Sequence, residues 1–241
     1  MIDFAFYAEI LPKLLSGLPL TLELAAASIA IGFVLALTLA LAQQGNLVFV
    51  RLPIRGFVAL FRGTPLLVQI FLIYYGLGQF RHGLQAVGLW GLFREPHWCA
   101  ILALSLNTAA YGSEILRGAI QSVPAGLVEA ARSLGMSRPL AYRLVVLPLA
   151  LRQCIPSYSN EIVLMVKGTS LASIITLMEV TSVAQGLISQ TYRPVEVFIC
   201  AGSIYLALNF TIIRALSLLE HRLSPHMRRS APATIVATSH A

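Results

Sequence analysis

The stretch PLTLELAAASIAIGFVLALTLALA, Pro19 to Ala42, carries a single ionisable side chain, Glu23. A helix needs about 20 mainly apolar residues to cross the hydrocarbon core of a bilayer. Pro19–Ala42 therefore predicts a transmembrane helix. The whole chain agrees with it: of 241 residues, 57% are hydrophobic and 11% charged. A soluble domain carries about 25% charged residues, so the solvent for most of this surface is lipid. The formal net charge of +7 raises nucleic acid as a partner. The basic residues lie between apolar blocks, however, as they do in the loops of membrane proteins, and no nucleic-acid partner is expected.

Outward from the first span, Thr64–Phe80, Trp98–Leu116, Leu149–Val166 and Pro194–Leu219 are further candidate spans. Leu149–Val166 includes Arg152, Gln153, Asn160 and Glu161, polar residues that a membrane helix carries when they face other helices. Leu171–Ser189 is amphipathic. Cytoplasmic loops are enriched in Lys and Arg. Arg51, Arg55 and Arg62 follow the first span, and Arg117, Arg132, Arg138, Arg143 and Arg152 fall between the third and fourth. Arg214, Arg222, Arg228 and Arg229 close the last. Placing all of them inside predicts an all-α integral membrane protein with five transmembrane helices, N-terminus out and C-terminus in. Leu171–Ser189 is then a re-entrant or surface helix, and residues 230–241 a disordered tail. The start, with Asp3, Glu9 and Lys13, lacks a cleavable-signal pattern, so the first span is expected to act as its own insertion signal.

Residues 118–148 are the main cytoplasmic loop. Within it, SVPAGLVEAARSLG (Ser122–Gly135) offers Ser122 as a helix cap, Pro124 in the first turn, and Gly135 at the C-terminal corner. Ser137 and Pro139 then start a second short helix that runs toward Pro148. Ala130, Ala131 and Leu134 give the first helix a narrow, small face suited to a groove on a partner.

The pattern Glu129-Ala130-Ala131-x3-Gly135-x9-Val145-x-Leu147-Pro148 resembles the EAA loop of ABC importer permeases, with Val145 where Ile is more usual. The resemblance implies the binding-protein-dependent (MetI-like) permease fold with a cytoplasmic coupling helix. Glu129, Ala130, Ala131 and Gly135 would contact the ATPase. Phe61-Arg-Gly-Thr-Pro-Leu-Leu-Val-Gln69 is similar to a segment of the polar amino-acid permeases. Leu106–Ile115, Tyr158–Leu171 and Tyr192–Glu196 resemble M-type subunits of histidine/lysine/arginine/ornithine and opine importers. The run Leu164–Ala172 and Trp98-Cys99 look closest to octopine and nopaline permeases. The partners so implied are a homologous (Q-type) permease, an ATPase dimer and a periplasmic substrate-binding protein, in a bacterial inner membrane. ATP and Mg belong to the ATPase, since no GxxxxGK[ST] loop occurs in this chain. No catalytic or metal-ligating set is expected, and no cofactor in this chain.

For the substrate pathway, Asn107 and Glu161 lie deep in spans three and four. Glu161 can neutralise the cation of a basic amino acid or opine, and Asn107 can bond its polar end. An interhelical polar clamp is the alternative for this pair. Lys167, Thr169 and Ser170 at the outer end of span four, and Gln190, are further pathway candidates. An ion-driven secondary carrier is the rival class. It leaves the cytoplasmic helix pair unexplained and usually shows paired repeats, which are not evident here. Cys99, Cys154 and Cys200 lie in or beside apolar stretches and read as small buried hydrophobes.

Overall fold

The computed structural model describes residues 3–45 and 47–223, and their regular structure is entirely helical. The expected tail at 230–241 lies outside the described residues. Helix α1 (Phe4–Leu15) passes through Ser16 and Gly17 into α2 (Leu18–Ala42), so the first helical stretch begins well before Pro19. Asp3 starts α1: its carboxylate accepts the Phe6 N–H and receives Arg193 Nη1 at 2.9 Å. That bond from Arg193 holds the Asp3 carboxyl below its ordinary range. Arg193 also lies 4.2 Å from the Phe6 ring centroid, fastening the first helix to the start of the last.

After α2 the chain forms α3 (Val48–Gly63) and α4 (Leu66–Gln79), turned 110° from one another. Pro65 causes the break. It lacks an N–H and drives the preceding Thr64 into extended backbone, φ −121° and ψ 147°. Short helices α5 (Arg81–Ala86) and α6 (Trp90–Phe93) follow, then α7 (Pro96–Gln121), which is the most deeply packed long helix.

Helices α2 and α7 are in close contact along their length. Gly32 sits on Thr108, and Gly112 on Ala36, a constant offset that makes the two helices parallel. The chain between them must therefore travel back, and α3 with α4 does so. Small residues permit the approach, as in membrane helix pairs generally.

Beyond α7 come α8 (Ala125–Ser133), α9 (Arg138–Ala141), a π turn (Tyr142–Val146) and α10 (Leu147–Gly168). The π turn has a local cause. Pro148 has no N–H to continue the α-helical ladder, and Leu147 N–H bonds Tyr142 O instead. Helix α10 is antiparallel to α7: Cys154 packs in a cluster with Leu116 and Ala119, and Met165 in another with Ala100 and Leu104. A 3-10 segment (Thr169–Ile175) and α11 (Val180–Thr191), bent 50° from what precedes it, occupy the region expected to be re-entrant or surface-lying. Finally α12 (Pro194–Leu223) packs against α1 and α11 through Val197, Cys200 and Ile204.

Glu179 fixes the α11 entry. It is fully buried, caps the helix through Ser182 N–H at 2.9 Å and accepts Tyr205 Oη–H at 2.6 Å. Gly17 abuts the same backbone, where a Cβ would stand 2.6 Å from Val180 N.

Candidate functional site

Two regions hold the residues singled out by sequence. The first is the segment α8–α9. Gly135 adopts φ +83°, Met136 N–H bonds Ala131 O, and Gly135 N–H bonds Arg132 O. This is the 6→1 and 5→2 pairing of a Schellman stop, and the left-handed residue it needs is glycine. Glu129, Ala130 and Gly135 are exposed and Leu134 is 79% exposed, whereas Ala131 is buried against the chain itself. Three of the four expected coupling residues thus stand on open surface, and Ala131 seats the helix. One expectation is corrected. Ser122 does not cap α8, because Pro124 occupies that position; Ser122 ends α7 and bonds Ala119 O and Gln153 Oε1. This ties α7 to α10 just before α8.

The second region is a cavity of about 270 Å³ at the α3–α4 break. Thr64, Pro65 and Leu66 form one wall, and Asn107, Tyr111 and Glu161 the other. Asn107 and Glu161 are each 7% exposed. The structure thus brings together two residues that are 54 positions apart in the chain.

Gln69 organises the wall, and sequence reasoning gave it no role. The two protons of its Nε2 are shared among Phe61 O at 2.7 Å, Thr64 O at 3.0 Å and Thr64 Oγ1 at 2.9 Å. Carbonyls freed by the helix break are thereby satisfied, as buried backbone groups must be. Its Oε1 accepts Asn107 Nδ2 at 2.9 Å, which fixes the Asn107 amide. A glutamine just after a Pro break, in a mainly apolar helix, is the sequence signal that could have found it.

Glu161 has no such support. Among the described residues its carboxylate makes no hydrogen bond and no ion pair. Its oxygens open onto the cavity, and a mostly buried carboxylate without a partner is costly to hold. At the α4 end of the cavity, the first N–H groups of that helix have no intrahelical acceptor, a geometry that favours anions. The cavity thus offers an acceptor of positive charge and, beside it, a helix N-terminus.

The remaining pathway candidates stand apart. Lys167 is exposed at the end of α10, and Gln190 is exposed on α11. Thr169 is fully buried with its hydroxyl on Val166 O, and Ser170 bonds Lys167 O. None of the four lines the cavity. Glu114, near the end of α7, is clamped by Arg117 at 2.7 Å.

Helices of membrane length, a solvent-facing helix-Gly corner between two of them and a polar cavity at a broken helix are the features of a membrane permease. The chain belongs to the family of binding-protein-dependent transport system inner membrane components, whose model matches residues 28–225. It is 55% identical over 228 residues to the octopine transport system permease protein OccM of Rhizobium meliloti, covering 95% of this chain and 93% of that one. It is 54% identical over 226 residues to the nopaline permease protein NocM of Agrobacterium fabrum, covering 94% of each. The arginine ABC transporter permease protein ArtM of Escherichia coli K12 is 47% identical over 177 residues, 73% of this chain and 79% of that one. A crystal structure of an amino acid ABC transporter with histidines superposes with TM-score 0.81 at 36% identity, covering 92% of this chain and 99% of that one. The protein is thus a permease subunit of an ABC importer, which sets aside the ion-driven carrier.

Proposed function

We propose that this chain carries basic amino acids or opines across the membrane, and that the cavity at the α3–α4 break is where the cargo pauses. The observation that carries the reading is Glu161: buried, unpaired and facing a cavity. The guanidinium or ammonium of the cargo pairs with it. The cargo carboxylate lies at the α4 N-terminus, and Asn107, held by Gln69, bonds the polar group between. The names of the octopine, nopaline and arginine relatives favour the same class of cargo.

The chain crosses the membrane five times, N-terminus out and C-terminus in, as one permease domain over residues 1–229. The alternating directions of α2, the α3–α4 pair, α7 and α10 support that count. Ser157, Asn160 and Lys167 are exposed along α10, and polar groups at membrane depth face protein or a water-filled path rather than lipid. A homologous Q-type permease covers them. An ATPase dimer with its ATP and Mg docks on Glu129, Ala130 and Gly135, and a periplasmic binding protein delivers cargo at the opposite face. Closure of the ATPases pulls α8 and reopens the spans outward by rigid-body motion.

Replacing Glu161 by Gln keeps the shape and removes the charge. Loss of a hydrogen bond to a charged group is worth about 1.5–3 kcal/mol, or roughly 10- to 100-fold in affinity. Binding-protein-dependent uptake of arginine is expected to fall accordingly, while the complex still assembles. Unchanged uptake removes Glu161 from the site.

A further inference from the structure

A second cavity, of about 380 Å³, lies between the end of α2, helix α3 and the last turns of α7. We propose that it holds the phosphate headgroup of an anionic phospholipid, gripped by Arg55, Arg62 and Gln43.

Charge comes first. Three guanidiniums face one carboxylate, Glu114. Arg117 satisfies that carboxylate through Nε and Nη2 and spends Nη1 on Gln121. Arg55 and Arg62 donate no side-chain hydrogen bond and form no ion pair among the described residues; Arg62 only lies 5.4 Å from the Tyr111 ring centroid. The wall therefore presents two guanidinium forks with open donors, a geometry that matches a phosphate oxygen pair.

Gln43 is the second, independent observation. It is 7% exposed; its amide leans toward the Glu114 carboxylate, but no acceptor stands within full hydrogen-bond geometry of the buried Nε2. A buried amide donor without an acceptor is costly. A phosphate oxygen in the cavity that Gln43 lines supplies what the chain does not.

The position of α3 selects lipid over a soluble anion. This helix turns 110° from α4, and Phe49 (93% exposed), Leu52 and Leu60 leave an apolar face uncovered. A helix with one apolar and one basic face lies in the bilayer interface. The cavity sits on its basic side, at the membrane face where α2 and α7 both end. Basic pockets between helices at that depth take lipid headgroups. The phosphate enters with its acyl chains alongside the apolar face of α3.

The assembled importer, purified and reconstituted in a mixture of phosphatidylglycerol and phosphatidylcholine, tests this by native mass spectrometry of retained lipid. The wild type is expected to retain phosphatidylglycerol preferentially. Arg55→Gln, at an exposed site that leaves folding intact, lowers that retention about five-fold. Arg51→Gln, one turn away on α3 but outside the cavity, leaves it unchanged. Equal retention of the two lipids overturns the proposal, as does an equal loss in Arg51→Gln and Arg55→Gln, which marks diffuse surface attraction. Displacement of phosphatidylglycerol by inorganic phosphate also overturns it, because the site then prefers a soluble anion.

Discussion

Gly32→Ala adds one methyl group where α2 meets α7. An ideal Cβ there stands 2.6 Å from both Cβ and Cγ2 of Thr108 and 3.1 Å from Ser105 O. Carbon atoms pack at about 3.5–4.0 Å, so the helices must part by about 1 Å. Rotating Thr108 about χ1 moves Cγ2 but not Cβ, so no rotamer relieves the clash, and Thr108 is fully buried. Overpacking of this kind costs about 1–3 kcal/mol. Each kcal/mol moves a melting midpoint about 2–4 °C in a chain of this size. Thermal unfolding of the purified importer, followed by thiol labelling of buried Cys99 on α7, is expected to shift down by several degrees. Gly118→Ala on the same helix meets nothing within 4 Å and should be neutral or slightly stabilising. Gly32→Ala combined with Thr108→Ala should recover part of the loss, since contacting sites couple. A Gly32→Ala protein as stable as the wild type refutes the close α2–α7 approach.

Gly17→Ala drives a Cβ to 2.6 Å from Val180 N, against backbone that cannot rotate away. It should undock α11 and speed amide exchange across Val180–Thr191; unchanged exchange contradicts the contact. Gly135→Val meets open space, so its cost is the left-handed backbone alone, about 1–2 kcal/mol. It should uncouple ATP hydrolysis from uptake, whereas Gly135→Asn, which tolerates that conformation, should keep most of the coupling. Asp3 has a lowered folded pKa through its bond from Arg193, so the clasp contributes above the ordinary carboxylate range and is lost as pH falls through the lowered value. Amides at the start of α1 should lose protection only once pH falls below the ordinary carboxylate range, and Asp3→Asn should lack that protection at neutral pH as well.

Much of this architecture was legible in the residues. Long apolar runs needed no tertiary information, and Gly135 announced its corner because few residues adopt φ +83°. Two features were hidden. The sequence of α3 places Arg51, Arg55 and Arg62 in what reads as a basic loop; only contact with α7 shows that it is a helix set at a steep angle to α4. Ser122 also misled, because a Ser two residues before Pro can start one helix or end another, and Gln153 from α10 decided which. For the cavity, Asn107 and Glu161 were found as costly polar residues in apolar helices. Gln69 is different: Pro65 marks the break in the sequence, but only the fold brings the Gln69 amide back onto Phe61 O and Thr64 O.

The central claim is that Glu161 meets the positive charge of the cargo. Its most direct measurement is equilibrium binding of labelled arginine to the purified permease–ATPase complex without the binding protein, in wild type and Glu161→Gln. Measurable binding by the wild type is expected, with a loss of about 10- to 100-fold in Glu161→Gln and no competition by citrulline, the uncharged analogue. Equal affinity in the two proteins, or competition by citrulline as strong as by arginine, would contradict it.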